Sequence, residues 1–121
     1  MNILLVHDDP EIQEEIREFL TLQTRNVFFS SNNTGEAIRT LNYQTIELVV
    51  MKINNMKDAS ILKYVNDNYT DLEVLILASK EYNEIISAFI HGHFTLMQQP
   101  VNLAELKKKI ANLLEFRSVH S

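Results

Sequence analysis

The sequence predicts an α/β fold: a five-stranded, doubly wound parallel sheet with helices packed on both of its faces. Two observations lead there. Short, continuous aliphatic runs recur five times along the 121 residues, and each is followed by a longer segment with apolar residues at helical spacing. Strands that are apolar on both faces belong in sheets covered on both sides, and right-handed crossovers between parallel strands leave few topologies. In such folds the site lies at the C-terminal ends of the strands.

The first run, Ile3 to Val6, reads as a buried strand. Asp9 and Pro10 then stand at a helix cap and first helical position. Ile12, Ile16, Phe19 and Leu20 share one face of that helix, and Glu11, Glu14, Glu15 and Glu18 fill the other. Acids in the first turns suit the helix dipole. Val27 to Ser30 is the second strand, and Ser31 to Gly35 is a turn cluster. The next helix turns Ala37, Ile38 and Leu41 inward. Ile46 to Met51 is the third strand, rich in β-branched residues. Ile61, Leu62 and Val65 mark the third helix, and Leu72 to Leu77 the fourth strand. Ile85, Ile86, Phe89 and Ile90 mark the fourth helix, and Phe94 to Met97 a short fifth strand. Leu103, Leu106, Ile110, Leu113 and Leu114 form the stripe of the last helix.

One domain spanning residues 1–121 accounts for this length, with 116–121 expected as a frayed tail or the point where a longer chain was cut. The net charge of -5 argues against direct nucleic-acid contact, which usually needs a basic face. With no cysteine, disulfides, thiolate metal sites and cysteine nucleophiles are excluded. The N-terminal apolar run is too short for a signal peptide or a membrane span, so a soluble, cytoplasmic protein is expected.

The loops at the predicted strand ends hold a set of residues whose order matters more than any one of them. Val6-His7-Asp8-Asp9-Pro10 follows strand one, and Leu48-Val49-Val50-Met51-Lys52 closes strand three. Leu77-Ala78-Ser79-Lys80 closes strand four, and Gln98-Gln99-Pro100-Val101 follows strand five. In this order the whole chain resembles the receiver (CheY-like) domain of bacterial two-component response regulators. That resemblance implies a flavodoxin-like sheet of order 2-1-3-4-5 and a role in signal transduction.

In that family an acidic pair after strand one holds magnesium, and an aspartate ending strand three accepts a phosphoryl group from a histidine kinase. A hydroxyl after strand four and a lysine before the proline after strand five contact that group, and an aromatic residue on strand five moves with it. Such chemistry needs cations around the developing charge on the phosphoryl oxygens. Here the resemblance places His7 at the first acid and Asp8 at the second, with Asp9 beside them. Lys52 falls at the acceptor, Ala78 at the hydroxyl with Ser79 one residue on, Leu96 at the aromatic and Gln99 at the lysine. The departures imply a degenerate, pseudo-receiver pocket.

A lysine cannot form an acyl phosphate, and its charge opposes a divalent cation. Two unit charges about 4 Å apart interact by about 4 kcal/mol at an effective dielectric near 20. No magnesium and no other cofactor is therefore expected. Asp8, with Asp9 as a second candidate, should pair with Lys52, and an uncharged Gln99 avoids adding an unpaired cation. The plainer reading of Lys52 is a surface lysine reaching water. His7 is either a pH-sensitive member of the pocket or a partly buried residue bonded locally.

Three further groups remain. His91-Gly92-His93 has no third ligand and is weak evidence for a metal. Lys107, Lys108 and Lys109 read as a solvated helix face toward the helix C-terminal half. Phe89, Ile90, Leu96 and Val101 fall on the helix 4–strand 5–helix 5 face that receivers use for docking, and the plainer alternative is core packing.

The function expected is a phosphorylation-independent interaction module that binds a partner signalling protein or itself, as a homodimer through that face. Two alternatives are an N-terminal regulatory domain from a longer DNA-binding response regulator, and a receiver phosphorylated at Asp8 or His7. Enzymatic activity and FMN binding are not expected, because His7-Asp8-Asp9-Pro10 is acidic and lacks a glycine-rich phosphate cradle.

Overall fold

A computed structural model describes residues 1–22, 25–91 and 94–120. Five strands alternate with five helices: β1 Asn2–Val6, α1 Pro10–Thr21, β2 Val27–Ser31, α2 Thr34–Tyr43, β3 Leu48–Ile53, α3 Met56–Asn68, β4 Glu73–Ala78, α4 Asn83–Phe89, β5 Thr95–Gln98 and α5 Leu103–His120. A single 3₁₀ turn, Lys80–Tyr82, leads into α4. All strand pairs are parallel, in the order β2-β1-β3-β4-β5. The expected topology is thus the observed one.

The sheet is buried on both faces, as its continuous aliphatic runs require. Leu4, Val6, Val49, Met51, Val74 and Ile76 pack under α2, α3 and α4 with Ala37, Leu62 and Ile86. Ile3, Leu5, Val50, Leu75 and Leu77 point the other way, onto Ile16 and Leu20 of α1 and Leu106 and Ile110 of α5.

Capping fixes where the helices begin. Asp9 accepts from the Glu11 N–H at 2.9 Å and Pro10 opens α1. Asn33 accepts from the Glu36 N–H at 2.9 Å, and Glu36 returns to the Asn32 N–H at 3.1 Å. Asn55 and Asp58 repeat this reciprocal arrangement at the head of α3, with Asp58 accepting from Asn54 N–H at 2.9 Å. Asn102 accepts from Glu105 N–H at 3.1 Å.

Several boundaries differ from the sequence reading. β3 starts and ends two residues later than expected, so Lys52 lies inside the strand rather than at its exit. Pairing decides this, because Lys52 stands opposite Leu77 and Ile53 opposite Ala78, and a charged side chain at the rim does not stop a ladder. Ile90 is the residue after α4, not part of it. The last helix runs on to His120, past the point where a frayed tail was expected. Lys107 to Lys109 consequently sit in its N-terminal half, where the dipole does not favour cations.

Candidate functional site

The C-terminal ends of β1, β3, β4 and β5 meet above the sheet, and Lys52 stands at their centre. Its ammonium donates to Asp8 Oδ1 at 3.1 Å. Lys52 is mostly covered, with 24% of its side chain accessible, whereas Asp8 is more than half exposed. The hydrogen bond from Lys52 holds the Asp8 carboxyl below its ordinary range.

His7 is buried beside this pair. Its Nδ1 accepts from the Asp9 N–H at 3.0 Å and lies 3.7 Å from Asp8 Oδ1. An imidazole nitrogen that accepts a backbone N–H carries no proton, so the ring is neutral with its proton on Nε2. Burial first, and Lys52 second, push its pKa below the usual value. The backbone of His7 is held as well. Its N–H donates to the Ser31 carbonyl at 3.1 Å, and the Gln13 amide bonds its carbonyl.

Asp9 makes no ion pair with Lys52, although its charge acts on His7. Its carboxylate is spent on capping α1, which corrects the expectation of a second partner for Lys52. Ala78 is buried at the end of β4 and offers no donor. Ser79 follows it, half-buried, with no capping hydrogen bond from its hydroxyl. Gln99 accepts from the Val101 N–H at 3.3 Å, and its buried Nε2 has no partner among the described residues. The Gln99–Pro100 peptide is cis.

Two clefts flank Lys52. One of about 350 Å³ is lined by Lys52, Asn54, Ser79, Tyr82, Gln99 and Pro100. The other, about 150 Å³, reaches from His7 and Asp8 to Asn32, Thr34, Asn55 and Asp58. Tyr82 and Asp58 are members that sequence reasoning missed. The Tyr82 hydroxyl donates to the Asn54 carbonyl at 3.0 Å, tying the β4 exit to the β3 exit. The buried Thr34 hydroxyl donates to Asp58 Oδ1 at 3.1 Å, tying α2 to α3. The Asn55-x-x-Asp58 spacing is the cap signal that could have flagged Asp58.

The four apolar residues singled out as a docking face are divided between the two cores, and all but Ile90 stay half-exposed. Ile90 is buried, and Phe89 and Leu96 pack against the core under α2, α3 and α4. Val101 packs against the opposite core. They lie on different elements, Phe89 and Ile90 at the end of α4, Leu96 on β5 and Val101 beyond it, and so face two different cores. In the histidine triplet, Gly92 and His93 lie outside the described residues. The His91 backbone pairs with the Asn66 amide in both directions, at 3.0 and 3.2 Å. No group of three or more metal-binding side chains occurs among the described residues. Nor is any helix among them long and apolar enough to cross a membrane.

The chain superposes on a response regulator receiver domain protein (CheY-like) from Methanospirillum hungatei with a TM-score of 0.77, at 18% identity, covering 99% of this chain and 98% of that one. The chain has the receiver fold. The signal receiver domain of a putative LuxO repressor protein from Vibrio parahaemolyticus gives 0.75 at 18% identity, over 98% of this chain and 93% of that one. That of an HD domain-containing protein from Pseudomonas fluorescens gives 0.74 at 17% identity, over 98% and 97%. In sequence, a cyclic di-GMP phosphodiesterase from Thermotoga maritima is 24% identical over 121 residues. The match takes in 99% of this chain but 33% of that protein, so the chain spans about a third of the relative's length. No family model matches.

Proposed function

We propose that the chain is an atypical receiver domain that works without phosphorylation, as a fixed protein–protein interaction module in cytoplasmic signal transduction. One observation carries this reading: the Lys52 ammonium, 3.1 Å from Asp8, occupies the position that the receiver resemblance gives to the acceptor carboxylate. An amine there cannot form the acyl phosphate, and its charge already satisfies the acid that would bind magnesium. His7 and Gln99 complete the substitution, neither adding a carboxylate nor a second cation. The domain has no catalytic role of its own in this reading.

The alternative acceptors fit poorly. Asp8 is engaged by Lys52, and His7 Nδ1 is engaged by the Asp9 N–H.

Incubation with acetyl phosphate, or with beryllofluoride and magnesium, tests the proposal. Intact-mass and NMR spectra should be unchanged by either reagent. A stoichiometric adduct, or saturable binding with shifts around Asp8 and Lys52, would falsify it.

A second reading concerns context. The curated relative is about three times as long as the matched region. This favours a domain that regulates a covalently attached effector, and an enzymatic effector fits as well as the DNA-binding one expected from the sequence. The reading frame around the coding sequence distinguishes these.

A further inference from the structure

The helix layer formed by α1 and α5 carries opposite charges on its two halves. The outer side of α1 bears Glu11, Glu14, Glu15 and Glu18 against the single Arg17. Next to it, α5 has a net positive charge: Lys107, Lys108 and Lys109 in consecutive positions and Arg117 further on, against Glu105 and Glu115. One of these charges is used within the chain: Lys107 donates to Glu15 at 3.1 Å and lies over the Phe19 ring. Arg17 is also occupied, 3.6 Å from Glu14 and over the Phe28 ring. Glu11, Glu18, Lys108 and Lys109 have no ion-pair partner among the described residues. The same layer exposes one large apolar side chain on each half, Leu22 at 82% just after α1 and Phe116 at 54% on α5.

We propose that this layer is a self-complementary docking surface whose occupant is a second copy of the chain, with α1 of each copy lying against α5 of the other. Charge selects the symmetry. Both helices follow parallel strands, so they run in the same direction, and the Lys107–Glu15 bond sets them level. A two-fold axis parallel to the helices brings each acidic helix onto the partner's basic helix at matching heights. An in-plane axis perpendicular to them would stack α1 on α1 and α5 on α5, and like charges oppose that arrangement. In the favoured pairing Glu18 lies within about a turn of the partner copy's Lys108, and Leu22 and Phe116 meet toward the same end. The surface is separate from the Lys52 pocket, so it stands whether or not the pocket takes up phosphate.

Sedimentation equilibrium on the full chain, at low and high salt, tests this with Glu18→Lys, Lys108→Glu and the double variant. Both side chains are exposed, and the double variant controls for folding. The expected result is a concentration-dependent dimer weakened by salt. Each single reversal should weaken it at least roughly tenfold, and the double reversal should restore it. A monomer at every concentration overturns the proposal. So does a dimer indifferent to salt and to both reversals, which would place the interface elsewhere, for instance on the α4–β5–α5 face.

Discussion

The shoulders of the pocket and its centre are built on different principles. On the shoulders, Asp9, Asn33 with Glu36, and Asn55 with Asp58 each satisfy orphan backbone N–H groups at a helix head, and Asp58 also receives the Thr34 hydroxyl. At the centre, Lys52 and Asp8 form one partly exposed ion pair, His7 is neutral, and the Gln99 amide nitrogen has no partner among the described residues. Fold stability in this region thus rests on the shoulders, while the centre governs which charges and ligands the site tolerates. Central residues can change sign without unfolding the loops that surround them.

The sharpest way to break this contrast is at Asp58. Its two oxygens hold the Thr34 hydroxyl at 3.1 Å and the Asn54 N–H at 2.9 Å, and its loss leaves a buried hydroxyl unpaired. Hydrogen bonds to charged groups contribute about 1.5–3 kcal/mol, so Asp58→Ala should lower unfolding free energy by about 2 kcal/mol in urea titrations. Asp9→Ala should cost less, about 1 kcal/mol, the usual loss of a helix N-cap. If either change is silent, the shoulders do not carry the stability assigned to them.

His7 gives an intermediate effect that depends on pH. Burial and Lys52 lower its folded pKa below the ordinary 6.5, so between the two values the unfolded chain binds the proton first. Stability should therefore be fully present above about 6.5 and fall as pH drops from there through the lowered folded value. His7→Asn keeps an acceptor for the Asp9 N–H but cannot titrate. Denaturation at a series of pH values should show a shallower acid slope in this variant than in the parent chain. Equal slopes would mean that the folded chain takes up the His7 proton as readily as the unfolded one.

These effects also explain what was legible in the sequence. The five-fold alternation of aliphatic runs and amphipathic segments specified the sheet, its winding and nearly all of the core, because burial on both faces keeps the central strands β1, β3 and β4 almost wholly aliphatic. The Asp9-Pro10 cap was readable for the same local reason. The position of Lys52 within β3 was not, since ladder pairing with Leu77 is a property of two distant segments. Nor were the burial of Ile90, which follows from α4 ending at Phe89, and the inward turn of the half-buried Leu96, which β5 sets by pairing it with Ile76. Asp9 was misjudged as a charge partner because one side chain can serve a cap or an ion pair, and only geometry shows which.

The smallest effect is expected at the most conspicuous residue. Lys52→Met removes the cation but keeps most of the aliphatic stem that fills the rim. Asp8 is 56% exposed, so water screens the pair, and exposed ion pairs contribute about 0–1 kcal/mol. The Asp8 carboxyl is held below its ordinary 3.8, so what stability the pair gives is present above that value and disappears as pH falls through the lowered folded one. The parent and Lys52→Met should therefore differ slightly at neutral pH and converge in acid. Function should respond differently from stability, because removing the cation also removes the charge that opposes a metal at Asp8. Adding magnesium should leave the parent's melting temperature unchanged, and Lys52→Asp, which places a second carboxylate beside Asp8, should gain a magnesium-dependent rise. A magnesium-dependent rise in the parent chain would show that Lys52 does not command the centre after all.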